Sequence, residues 1–320
     1  MRFDARTRCV RGLACFLAIG LAGAGPMVWG AVTPTVVLIK TGTPKPFEIA
    51  TRAITAALRA STRPPEILTF DLEGEEANAA AVFARVQRAK PDLIVTMGSL
   101  ATASALANST TEPIVFSMVL YPEQSGFLDG RRRVTGASLD IPVDVQFAYV
   151  QRLLPNARRV GVLFHPAETG TVVEQARATA AKRGLTLVAK PVTEHDDVVD
   201  AMETLMEQVD VVWSVADGYV FTPQATSALI LASLRRGVPL IGLSSAHVRA
   251  GALAAIYCDY DDVGEQTASL VLRVLQGAAP GDLPITVPRR VGLALNLRTA
   301  ERLRVTLPPD VAAEAEETVR

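Results

Sequence analysis

Several short turns in this chain bring together hydroxyls, glycines, acids and aromatics, the side chains that hold a small polar solute. They are Thr41-Gly42-Thr43-Pro44, Gly98-Ser99-Leu100, Ser117 to Pro122 with Tyr121, His165 to Gly170 with Glu168 and Thr169, Asp217-Gly218-Tyr219, Ser244-Ser245 and Asp259-Tyr260. Each directly follows an apolar run, and several directly precede an amphipathic stretch. A helix start offers free N–H groups and a partial positive charge, which suit a carboxylate. Gly98 would let the backbone come close to a ligand, and Ser99 adds a hydroxyl. Asp217 could hold an ammonium, with Tyr219 stacking on an aromatic portion. Taken singly, each Ser, Thr or Asp also reads as an N-cap, and Tyr219 as a plain aromatic. The functional expectation rests on the set.

Catalytic signatures are missing. The turn after the first apolar run, KTGTP, is neither a phosphate loop nor a G-x-G-x-x-G fingerprint. Gly242-Leu243-Ser244-Ser245-Ala246 approaches a nucleophile elbow, but its last position is alanine, and no histidine follows His247 to complete a triad. His165, His195 and His247 lack metal-ligand spacing. Asp259, Asp261 and Asp262 lack the glycine and glutamate spacing of a calcium loop. No catalytic residue, metal or cofactor is expected.

The elements that position these turns follow from periodicity. Apolar runs VVLIK (36–40), EILTFDL (66–72), DLIVTM (92–97) and IVFSMV (114–119) alternate with amphipathic stretches. This is the pattern of βαβ units on a parallel sheet. Leu120 to Thr135, with Pro122, Gly126, Gly130 and Arg131-Arg132-Arg133, breaks the rhythm and reads as a first crossing between lobes. The alternation then resumes with RVGVLF (159–164), 185–192, VDVVWSV (209–215) and PLIGL (239–243), and Trp213 falls inside a strand as core. The fold expected is α/β: two doubly wound parallel-sheet lobes joined by a three-stranded hinge, with a ligand cleft between them. Residues 34–120 plus 252–280 are assigned to lobe 1 and 136–248 plus 284–305 to lobe 2. The acidic, alanine-rich stretch 306–320 reads as a frayed tail.

Residues 1–30 read as a cleavable export signal: Arg2, Arg6, Arg8 and Arg11, then an uncharged run Gly12 to Gly25, then Val28-Trp29-Gly30. The run is short of the roughly 20 residues of a spanning helix, and Pro26 argues against an uncleaved anchor. Outside the cytoplasm ATP and NAD are not at hand, which disfavours kinases and dehydrogenases. The 320-residue chain has a net charge of −1, and removing this arginine-rich segment makes the remainder more acidic. Nucleic acid is therefore not an expected partner. Cys9 and Cys15 leave with the signal, so no internal disulfide is expected, and Cys258 reads as a buried small residue.

Ordered motifs add a resemblance. Asp92 to Ala103 (DLIVTMGSLATA), Val134-Thr135-Gly136, Leu153 to Leu163 (LLPNARRVGVL) and Pro166-Ala167-Glu168 are followed by Gly251-Ala252 with Asp259-Tyr260 and Gly264. Gly277 to Pro280 with Pro284, and Leu295 to Ala300 (LNLRTA), complete the series. In this order they resemble the ABC transporter substrate-binding proteins of the group that includes tryptophan- and tyrosine-binding lipoproteins, over nearly the whole chain beyond the signal. The resemblance implies the type I periplasmic-binding fold and no enzymatic activity. It implies capture of a small carboxylate-bearing ligand, such as an amino acid, by lobe closure, and delivery to an inner-membrane permease and its ATPase. Ser99 takes the place of the family's cleft threonine, Glu168 and Thr169 fall in a cleft-lining turn, and Asp217 lies in a turn near the ligand. Tyr121-Pro122 departs from the Asp-Pro of many members. The absence of a lipobox cysteine implies a free periplasmic form. A sensory protein that presents its ligand to a receptor is the alternative, with an exported enzyme on the same fold behind it.

Overall fold

A computed structural model describes residues 33–129 and 132–320; the export signal read over 1–30 and the first arginine of the 131–133 run lie outside the described residues. The chain runs β1 (Thr35–Lys40), α1 (Lys45–Arg59), β2 (Glu66–Asp71), α2 (Ala79–Ala89), β3 (Leu93–Met97), α3 (Ser99–Asn108), β4 (Ile114–Val119) and β5 (Val134–Ser138). It continues through α4 (Val143–Leu153), β6 (Arg159–Phe164), α5 (Pro166–Lys182), β7 (Thr186–Pro191), α6 (Val198–Met206), β8 (Val211–Trp213), α7 (Pro223–Arg236), β9 (Leu240–Gly242), α8 (Ser245–Ala250) and β10 (Ala254–Cys258). It ends with α9 (Tyr260–Leu275), β11 (Val291–Asn296), α10 (Leu297–Arg302), α11 (Pro309–Glu314) and β12 (Glu317–Val319).

Two sheets result. The first is wholly parallel in the order β2-β1-β3-β4-β5. The second has the order β12-β11-β10-β9-β8-β6-β7, parallel except for the antiparallel β10–β11 pair. Within it, β7-β6-β8-β9-β10 repeats the order of the first sheet, so each lobe is a doubly wound unit with its own switch point. Strands β3 and β4 are buried along their whole length. That is why they read as continuous apolar runs and not as alternating ones. Helix starts follow local chemistry. Pro166 and Pro223 open α5 and α7. The Thr222 side chain accepts from Ala225 N–H at 3.1 Å, and Gly237, at φ +72°, closes α7 in the left-handed region.

Four assignments differ from the sequence expectation. The segment 120–133 is not a crossing, because the chain returns to the first sheet as β5 before leaving it. The signal was weak: VTGAS carries only two β-branched residues. Gly136 is nevertheless required, since a Cβ there would fall 2.4 Å from the Phe116 ring on β4. Residues 254–258, placed with lobe 1, pair with β9 and β11 in the second sheet; only α9, which follows, joins the first lobe. There it lies close against α1, where a Cβ on Gly264 would come 2.7 Å from the Ala50 carbonyl oxygen. The tail is not frayed. Val311 is fully buried, β12 extends the second sheet, and Arg152 on α4 pairs with Asp310 and Glu314. PITVP (284–288), which reads in the sequence as a short strand, forms only a single bridge, Thr286 to Ala137, because its flanking prolines cannot donate to a ladder.

The lobes are joined where the chain passes from β5 to α4, from β10 to α9, and along the run that leads into β11. The first two passages are tied together by the Cys258 thiol, which donates to the Leu139 carbonyl at 3.1 Å. Burial pushes that thiol up to about 12, so Cys258 is an inert packing residue here.

Candidate functional site

A cavity of about 500 Å³ opens at these passages, between the carboxyl ends of the two sheets. The first lobe contributes Leu120, Tyr121 and Tyr260. The passages contribute Leu139 to Pro142, Cys258 and Val287. The second lobe contributes Gln146, Val172, Trp213 to Ala216, Leu243 and Ile256. The wall is mainly apolar and aromatic with a few convergent polar groups, the usual character of a small-molecule site. Its charged groups are two carboxylates, Glu123 and Asp140; among the described residues no lysine, arginine or histidine lines it.

Trp213 forms part of this wall from the last position of β8. It is 1% exposed, meets Phe147 edge-on at 5.1 Å, and donates its Nε1–H to Gln146 Oε1 at 2.7 Å. It is core, as expected, and also cavity wall. Next to it the Ser214 hydroxyl is buried without a hydrogen-bond partner. Tyr121 is in the left-handed region (φ +50°), uncommon for an aromatic residue. Asp140, on the first passage, holds it there: both carboxylate oxygens accept the Tyr121 N–H, at 3.0 and 3.1 Å. The Tyr121 ring packs against the core of the second lobe, and the Ala216 backbone works to lower its phenol pKa. Burial, with the Asp140 charge nearby, drives the phenol pKa well above its ordinary value. Burial also raises Asp140, against the opposing effect of the Ser138 hydroxyl that donates to Oδ2 at 2.6 Å.

Of the turns singled out in the sequence, two reach this cavity: Ser117 to Pro122, through Leu120, Tyr121 and Pro122, and Asp259-Tyr260, through Tyr260. The Asp217 carboxylate is filled by donors of its own lobe. Oδ2 accepts from His165 N–H (2.7 Å) and the Thr169 hydroxyl (2.6 Å), and Oδ1 from Tyr219 N–H (3.0 Å) and Val220 N–H (2.9 Å). An ammonium role is therefore replaced by a structural one, the tying of two βα turns. Glu168 reinforces it through Gly218 N–H at 2.7 Å. Tyr219 stacks on His195 (3.7 Å) and His165 (4.3 Å) and donates to the Thr193 carbonyl, all within the second lobe.

In the first lobe, Gly98 is demanded by its φ of +89° and by Phe47 and Thr41, each 2.9 Å from where its Cβ would stand. Ser99 and Thr43 are exposed outside the cavity wall. Ser117 is fully buried and accepts from Thr267 on α9 at 2.8 Å. Ser245 accepts from Arg249 at 3.2 Å. Asp259 caps α9 through Asp262 N–H and pairs with Arg290 at 3.0 Å. The polar wall residues that sequence reasoning missed include Asp140, Gln146 and Ser214. The one signal that could have found the first was an acid placed directly before an Ile-Pro break at a lobe junction.

A profile described as ABC transporter substrate binding protein matches residues 64–319. The chain belongs to that family. A tyrosine-binding protein of Clostridioides difficile (strain R20291) is 26% identical over 221 residues, 67% of this chain and 63% of that protein's length. The structure of an ABC domain in complex with L-Trp from Streptococcus pneumonia is 21% identical, covers 90% of this chain and 100% of its own, and superposes with a TM-score of 0.67. The ligand-free, open structure of a substrate-binding protein with adhesive properties from Clostridium difficile gives 0.74 at 17% identity, covering 90% of this chain and 100% of its own. These likenesses establish the type I periplasmic-binding fold for this substrate-binding protein. The family and its neighbours bind solutes and are not enzymes. No helix among the described residues is long and apolar enough to cross a membrane.

Proposed function

We propose that this substrate-binding protein serves an ABC importer, and captures a small amino acid with an aromatic or apolar side chain in the cavity between its lobes. The carrying observation is the wall itself: both lobes and the passages between them contribute, with Trp213, Tyr121 and Tyr260 around one space. Such a ligand would touch both lobes only when they are together, and that difference in affinity favours closure. The ligand carboxylate would meet main-chain amides, because helix α4 begins at Pro142 and Val143 on the cavity wall. The tyrosine-binding relative and the L-Trp complex support an aromatic side chain. The partners would be a permease and its ATPase, and the site of action the periplasm, reached through the export signal read over residues 1–30.

Isothermal titration of the chain from Ala31 onward with L-tryptophan, L-tyrosine, L-phenylalanine and L-leucine tests this. Saturable one-site binding by at least one, with a smaller radius of gyration in solution scattering, is the expected result. Absence of heat from all four, repeated with an aliphatic and aromatic carboxylate panel, refutes the ligand class.

A further inference from the structure

We infer that the ligand carries a protonated amine, and that Asp140 receives it beside the unpartnered hydroxyl of Ser214. This rests on the proposed cavity and names a subsite within it. Asp140 is half-buried, and a charge withdrawn from water gains from a partner. Asp140 lies at the passage between lobes and lines the cavity, and among the described residues it makes no ion pair. Among the described residues its carboxylate accepts two hydrogens, the shared Tyr121 N–H and the Ser138 hydroxyl, and it can accept more. Its charged neighbour is Glu123, of the same sign. A cation arriving from solution would supply what the wall lacks, since no basic side chain stands there.

Ser214 is the independent observation. It is 1% exposed, its Oγ has no partner, and its residue lines the same cavity. A buried hydroxyl without a partner costs free energy that a ligand contact recovers. It can accept from an ammonium or donate to another polar atom of the ligand.

The test compares L-tryptophan, tryptamine and indole-3-propionate by titration calorimetry, and the matching L-tyrosine, tyramine and 3-(4-hydroxyphenyl)propionate series. Loss of the amine should weaken binding about 10- to 100-fold, the range of a hydrogen bond to a charged group. Asp140→Asn keeps an acceptor for the Tyr121 amide, and should shrink the ratio between the amine-bearing ligand and its deaminated counterpart by about tenfold or more. Ser214→Ala removes no internal hydrogen bond, so it should leave the unfolding midpoint unchanged and weaken the amine-bearing ligand about 3- to 10-fold.

Indole-3-propionate binding as tightly as L-tryptophan would overturn the amine subsite and leave the carboxylate reading standing. Tryptamine binding without L-tryptophan would do the reverse. An unchanged ratio in Asp140→Asn overturns the role of Asp140, an unchanged affinity in Ser214→Ala overturns that of Ser214, and silence from both series overturns subsite and amino-acid reading together.

Discussion

Asp217 offers the sharpest test of the site, because its sequence context and its geometry point in opposite directions. Substitution by alanine strands four donors: His165 N–H, the Thr169 hydroxyl, Tyr219 N–H and Val220 N–H. The Thr169 hydroxyl can turn towards a backbone carbonyl of its own helix, and Tyr219 N–H keeps Glu168 Oε2 at 3.2 Å. Two amides, of His165 and Val220, are left without a partner. An unsatisfied buried donor costs about 1–3 kcal/mol. Asp217→Ala should therefore destabilise the protein by about 2–6 kcal/mol. In Asp217→Asn the amide oxygen can serve one pair of donors while its NH₂ faces the other, so roughly half that loss is expected.

Urea unfolding followed by Trp213 fluorescence reads this directly, since Trp213 is buried in the same lobe. Both variants, titrated well below their unfolding midpoints, should still bind ligand to within a few-fold. An alanine variant as stable as the parent within about 0.5 kcal/mol, but deaf to ligand, would refute the clamp. It would show that the carboxylate turns to the solute.

Other substitutions probe the frame around the cavity. Gly136→Ala would drive a Cβ to 2.4 Å from the Phe116 ring; overpacking of about 1–3 kcal/mol or more is expected, seen as a lowered unfolding midpoint. Trp213→Phe keeps the packing but gives up the bond to Gln146. In the chain from Ala31 onward, which lacks Trp29, Trp213 is the single indole, so ligand should shift its emission and the phenylalanine variant should be silent. Asp262 on α9 is 1% exposed and accepts from Arg289 Nη2 at 2.6 Å. Burial works to raise its carboxyl, and the Arg289 donors overcome that and hold it below the usual range. A group depressed on folding contributes stability above its unfolded value, near pH 3.9, and loses it as pH falls through the folded value. Acid titration of stability should therefore be shallower below about pH 4 in Asp262→Asn, and that variant should lose about 1–3 kcal/mol at neutral pH.

The two-lobe fold was legible because it is written in long, redundant patterns. β3 and β4 are continuous apolar runs, and α1 and α9 are amphipathic along several turns, so no single residue decides them. What failed was short and locally ambiguous. β5 is five residues of VTGAS, whose place depends on Gly136 packing under Phe116, a contact twenty residues away in sequence. β10 was assigned to the wrong lobe because strand patterning says nothing of which sheet a strand joins; the antiparallel ladder with β11 decides that.

The site failed for a different physical reason. The turns after the strands hold the right chemistry, but turns also need donors and acceptors for their own backbones. Asp217, Glu168, Asp259 and Ser117 spend their oxygens on those local demands, and Gly98 spends its freedom on φ and on Phe47. A residue type that could bind a ligand is informative only after these internal uses are subtracted, and only the folded chain shows them. At the passages between lobes the opposite holds. Asp140 and Ser214 keep capacity that no internal group uses, and their neighbours in sequence, Leu139 and Ile141 or Trp213 and Val215, read only as strand or linker. Tyr121 is visible from both directions. Its aromatic ring in place of an acid marked it in the sequence, and its left-handed backbone, held by Asp140, marks it in the structure. Strain of that kind persists only where surrounding contacts over-determine it. Here those contacts come from the first passage and from the opposite lobe.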